Sequence, residues 1–103
     1  MLDSAANNHQ RFVRASLDGE YSGPFYDQLG WVDAHGYTEL SWTILLEWWK
    51  TYHDILRSVI DRIPEVRMTA ICRVGSDEPV TLQLLIEDYI VHQQHHLRQL
   101  QAH

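Results

Sequence analysis

A chain of 103 residues has room for one domain with a modest core, and 45% apolar residues with four tryptophans and five tyrosines suit a packed globular one. The net charge of −6 argues against a nucleic-acid surface, and no apolar run approaches the roughly 20 residues needed to span a bilayer. The single cysteine, Cys72, has no partner for an internal disulfide, and Met1-Leu2-Asp3-Ser4 has neither the basic nor the apolar region of a signal peptide, so a reducing cytoplasm is the expected setting.

The first helix is expected from near Leu2 to Leu17, with an apolar stripe of Leu2, Ala5/Ala6, His9, Phe12/Val13 and Ser16/Leu17. Asp18-Gly19 ends it, with Gly19 as the C′ residue. The stripe opens at the second residue with no cap before it, so Met1-Leu2 reads as the middle of a helix. Residues 18 to 40 form a long irregular connection that carries Gly19, Gly23-Pro24, Gly30 and Gly36 together with Tyr21, Phe25, Tyr26, Trp31 and Tyr37. A connection of this length usually joins two helices that run parallel, and its aromatics predict that it packs along a bundle. Short helical turns are expected around Tyr26–Val32, and His35 is expected to be exposed, with reach to a metal as the lesser alternative.

A second long helix is expected from Ser41 to Ile63, capped by Ser41 or Thr38 and closed by Pro64. Its row of Trp42, Leu45, Trp49, Tyr52, Leu56, Val59 and Ile63 is widened by Leu46 and Ile60 on one side and by Ile44, Trp48 and Ile55 on the other. The resulting apolar arc of roughly 200° needs partners on more than one side. His53 falls at the edge of this core, as a hydrogen-bonded core histidine or as a third metal ligand. Glu65 to Pro79 reads as a loop in which residues 68–74 could form a short strand; Cys72 lies there and reads as an ordinary free thiol.

The last helix runs from Thr81, its cap, to Gln101. With Leu82 set at 0°, Leu85 falls at about 300°, Tyr89 at about 340° and Leu100 at about 0°, while His92 falls at about 280° and His96 at about 320°. Both histidines are therefore expected inside the apolar stripe. Two imidazoles on one turn facing a core can hold a divalent ion between them; two hydrogen-bonded core histidines or a polar seam would give the same pattern. Asp88, four residues before His92, is either an orienting carboxylate or a surface residue, and His95 points away from the stripe. Three helices with stripes this wide do not close a core alone: either a fourth helix is lost from the N-terminus or another copy supplies it, and a homodimer covering the exposed apolar face is expected.

The C-terminal run Glu78-Pro79-Val80-Thr81-Leu82 with Asp88-Tyr89-Ile90-Val91-His92-Gln93-Gln94-His95-His96-Leu97-Arg98-Gln99-Leu100 resembles the DinB/YfiT-like family. The run from Leu2 to Phe12 is similar to that family's second helix, and the linker Tyr26-Asp27-Gln28 with Gly30-Trp31-Val32 is similar too. The resemblance covers essentially residues 1–103 as one domain. It implies an all-α, up-down-down-up helical bundle, incomplete here because three main helices are present and the first is missing, and completed by dimerisation. It also implies a nickel or zinc ion on three histidines, two of which match His92 and His96. The third would fall just before Met1, so the site is expected to be incomplete, through a shortened chain or a start placed too far downstream. His9 faces about the opposite way and is a poor substitute.

The implied chemistry is metal-assisted, of a thiol-transferase or hydrolase type acting on a small molecule. No Ser-His-Asp set, Gly-rich phosphate loop or nucleophilic cysteine motif offers another centre. The alternative is a non-catalytic helical protein that dimerises.

Overall fold

A computed structural model of the chain describes residues 2–101. Met1 and the side chain of Leu100, both used in the sequence reading, lie outside the described residues. Within them the chain runs α1 (Leu2–Asp18), β1 (Glu20–Gly23), α2 (Gln28–His35), α3 (Trp42–Arg62), β2 (Ile71–Val74), β3 (Val80–Thr81) and α4 (Leu82–Gln101), with single 3-10 turns at Tyr37–Glu39 and Glu65–Arg67. The fold is mostly helical, with one small sheet. Among the described residues no helix is long and apolar enough to cross a membrane.

The helix ends are set by local chemistry. Ser41 accepts a hydrogen bond from the Ile44 amide at 3.1 Å and starts α3, which stops before Pro64. Thr81 caps α4 by accepting from the Leu84 amide at 3.2 Å. Asp27 does the same for α2 through the Gly30 amide at 3.0 Å. Gly19 takes φ +80°, the left-handed region a side chain disfavours, and its amide closes α1 on the Ala15 carbonyl at 2.9 Å.

Side-chain contacts give the helix directions. His9 of α1 meets Tyr52 of α3, and Leu2 shares a cleft with Leu45, so these two helices run parallel. His53 meets Tyr89, and Leu45 shares that cleft with Leu97, so α4 runs antiparallel to α3. The long connection expected to join parallel helices does so. Its first residues were expected to be irregular, yet Glu20–Gly23 form β1, the outer strand of a three-stranded sheet. β1 pairs parallel with β2, Glu20 beside Ile71 and Gly23 beside Val74. β2 pairs antiparallel with β3, Cys72 beside Val80. The short strand expected within residues 68–74 is β2, and Cys72 sits in it fully buried.

The core is Ala5, Phe12, Ala15, Leu56, Ile63, Ala70, Cys72, Leu82, Ile86 and Tyr89. Phe12, Leu56 and Leu82, each at most 2% exposed, contribute about 1.5–3 kcal/mol apiece through burial. The buried face of α1 differs from the expected stripe: Leu17 is 72% exposed, whereas Asp3, Asn8 and Arg11 are buried. The reason is position. α1 packs against α3 and α4 as well as the sheet, so residues flanking its apolar row are covered whatever their polarity. The apolar arc of α3 is covered in part, and Trp42, Ile44, Leu46 and Ile55 stay exposed.

Candidate functional site

Helix α4 carries the histidines the sequence singled out. Its buried row is Leu82, Ile86, Tyr89 and Gln93, continued by half-buried Leu97. On the angular count these centre at about 20°, which leaves the histidines on the shoulder of the stripe. His92 and His96 are accordingly exposed, correcting the expectation that they face the core. The apolar residues used to set the stripe included Leu85, half-buried on that shoulder, and this drew the apparent centre toward the histidines. The spacing itself holds: both imidazoles lie on one turn of a continuous helix. His95 and Asp88 are exposed on the same helix, and the His95 and His96 rings lie 6.2 Å apart.

The other histidines are already engaged. His53 Nδ1 lies 2.7 Å from the Trp49 carbonyl, so it carries the proton and donates. Its Nε2 is then the acceptor for the Tyr89 hydroxyl at 2.9 Å. Both ring nitrogens are used, and His53 is a hydrogen-bonded core histidine rather than a third ligand. His9 Nδ1 pairs with the Tyr52 hydroxyl at 2.9 Å, with the two rings edge to face. His35, exposed as expected, stacks between Trp31 and Tyr37. Among the described residues no three of His, Cys, Asp and Glu come together as a metal group. The described residues therefore assemble no three-ligand site, and His92 and His96 stand as a pair on one turn of α4.

A set of tyrosines within the bundle is held neutral. Burial pushes the Tyr89 phenol up from its ordinary value, with the charges of Tyr52 and Tyr26 adding to the effect. Burial also raises Tyr37, helped by its hydrogen bond to Asp3, and raises Tyr26 and Tyr52. Tyr37 donates to Asp3 Oδ1, tying the end of the long connection to the start of α1.

Between α1, α3 and α4, at the end of the bundle away from the sheet, lies a cleft of about 330 Å³. Leu2, Tyr37, Trp42, Leu45, Leu46, Trp49 and Leu97 form its wall. The Trp49 indole N–H is buried without an acceptor, and both amide atoms of Gln93, 6% exposed, are buried without partners. Each such unmet group costs about 1–3 kcal/mol. No sequence signal marks these groups: a glutamine between two histidines reads as a surface residue until the helix phase is known. His96 and Leu97 are neighbours about 100° apart around α4, so the imidazole pair and the cleft occupy different faces of one helix end.

The model of the DinB superfamily matches residues 5–100 of the chain. Searches of curated proteins and of solved structures found no match.

Proposed function

From the premise that the chain belongs to the DinB superfamily, we propose that it is a metal-associated protein whose divalent ion is held on the outer face of α4 by His92 and His96. The observation that carries this reading is the pair of exposed imidazoles four residues apart on one helical turn, with neither ring built into the core. His9 and His53, the histidines of α1 and α3, each have a hydrogen-bonded place. The two rings can supply two neutral nitrogen donors, and the remaining positions are taken by water or by a donor from a second copy of the chain. A nickel or zinc ion with open positions supplies Lewis acidity or an activated water or thiol, the chemistry of a small-molecule thiol-transferase or hydrolase.

A specific observation favours a second reading, a non-catalytic helical protein that forms homodimers. Ile44 is 53% exposed and Ile55 49%, two large apolar side chains about 20° apart around α3 on a face that a second copy would cover.

Metal analysis of the purified protein after incubation with nickel or zinc, beside His92→Ala and His96→Ala, tests the first reading. Loss of bound metal in both variants with unchanged circular dichroism is the expected result. Equal metal content in parent and variants removes the metal-dependent reading. Light scattering after size exclusion then decides the second: a well-folded monomer excludes the dimer.

A further inference from the structure

The cleft at the open end of the bundle has a wall with no charged side chain; the Trp49 indole N–H of that wall, and the amide of Gln93 one turn before Leu97, are buried with no partner among the described residues. We propose that it is a binding site for a small neutral amphiphile, an apolar body with one amide or hydroxyl head that meets the Trp49 indole N–H and the Gln93 amide. This inference does not rest on the metal reading.

The register of α3 against α4 places the two polar groups together. His53 hydrogen-bonds Tyr89, and eight residues earlier on α3 Leu45 shares the cleft with Leu97, eight residues later on α4. Midway between these two levels Trp49 stands opposite Gln93. Trp49 is itself part of the wall, and Leu97 is one turn beyond Gln93. The apolar space and the unmet hydrogen-bonding groups therefore occupy adjoining levels of one helix pair. Apolar clefts of a few hundred Å³ with a small number of convergent polar groups are the usual form of a small-molecule site.

The donor and acceptor inventory fixes the head group. Trp49 offers one donor, and Gln93 offers donors on Nε2 and an acceptor on Oε1. A carboxylate supplies acceptors but no donor for Oε1, and it brings a charge to a wall with no cation. An ammonium supplies donors only and leaves the indole N–H unmet. An amide or an alcohol supplies both functions without charge. Leu2, Leu45, Leu46, Trp42 and Leu97 then receive the apolar body.

The test compares three compounds with one skeleton, 4-phenylbutanamide, 4-phenylbutyrate and n-butylbenzene, by calorimetry and by ¹H–¹⁵N spectra of the four indole N–H groups. The Trp49 peak is assigned with Trp49→Phe. The amide is expected to bind saturably at one site, about tenfold or more tighter than the carboxylate at pH 7.5, as one neutral hydrogen-bonded head set against a buried charge predicts. It should move the Trp49 indole peak downfield. Gln93→Leu should weaken the amide about tenfold and leave n-butylbenzene unchanged. Leu45→Trp, or Leu46→Trp at a half-exposed position that tolerates bulk, should abolish binding of all three by filling the cleft. Absence of saturable binding by any of the three compounds overturns the proposal. So does equal affinity for amide and carboxylate, or amide binding that survives both cleft-filling variants in folded protein.

Discussion

Tyr89→Phe isolates one hydrogen bond at the centre of the bundle. The aromatic ring stays, so its edge-to-face contact with Phe12 at 5.7 Å and most of its buried area are retained. What goes is the hydroxyl that donates to His53 Nε2 at 2.9 Å. A neutral hydrogen bond contributes about 0.5–1.5 kcal/mol, and a stranded buried acceptor costs about 1–3 kcal/mol. His53 is only half-buried, so water can reach its nitrogen in part and the lower figures apply. The expected loss is about 1 kcal/mol, or about 4–8 °C in Tm for a domain of this size. His53→Leu should cost more, about 1–3 kcal/mol, because it strands the hydroxyl of Tyr89, a residue 6% exposed. The double variant removes both ends, and its cost should fall short of the two single costs together by about 1 kcal/mol. Urea denaturation of all four proteins, followed by circular dichroism, gives the coupling directly. A coupling below about 0.3 kcal/mol, within the additivity of independent sites, would refute the claim that these residues form one buried pair.

Gln93→Leu removes two buried unmet polar atoms, and we expect it to stabilise the ligand-free protein by about 1–2 kcal/mol in urea denaturation; a loss of stability would show that the amide has a partner in solution. The tyrosines set an alkaline limit. Their phenols are raised in the folded chain, so the unfolded state gives up its protons first, at the ordinary value of about 10. Stability present at pH 8 should therefore fall as pH climbs above about 10, and Tyr37→Phe with Tyr89→Phe should flatten that decline in denaturation curves taken at pH 8 and pH 10.5. Burial also pushes the Cys72 thiol up, so Ellman's reagent should react with it slowly in native protein and fast in denaturant; rapid native reaction would place Cys72 at the surface.

The parts of this architecture legible in the sequence are those fixed by local signals. Ser41 and Pro64 bracket α3, Thr81 opens α4, and Gly19 closes α1, each by a capping or steric effect that acts within four residues. The parallel course of α1 and α3 followed from the length of the connection between them. β1 was not legible, because Glu20-Tyr21-Ser22-Gly23 has one large apolar residue, and it is a strand only by pairing with Ile71–Val74. Neither was the inner face of α4. There the periodicity is right, but a phase error of one side chain exchanges His92 for Gln93, and a stripe flanked by Leu85 on one side and Leu97 on the other does not fix that phase. The buried polar residues of α1 were hidden for a related reason: hydropathy ranks residues by type, whereas burial on a central helix follows from how many neighbours surround it.

The parallel pairing of β1 with β2 joins Glu20 to Ile71, with all of α2 and α3 between them. That ladder is made of main-chain bonds, and the amides of Leu82 and Gln83 extend it by bonding the carbonyls of Ala70 and Met68 at 2.8 and 3.0 Å. Helix α4 is thus anchored by its backbone at one end and by side chains alone toward the other. Hydrogen–deuterium exchange should record this as a gradient, with amides at Leu85 and Ile86 opening only when the whole domain unfolds and those at His92 and His96 opening by local fraying. Because the clasp spans so much chain, it closes late, and the domain should fold more slowly than a bundle joined by short turns.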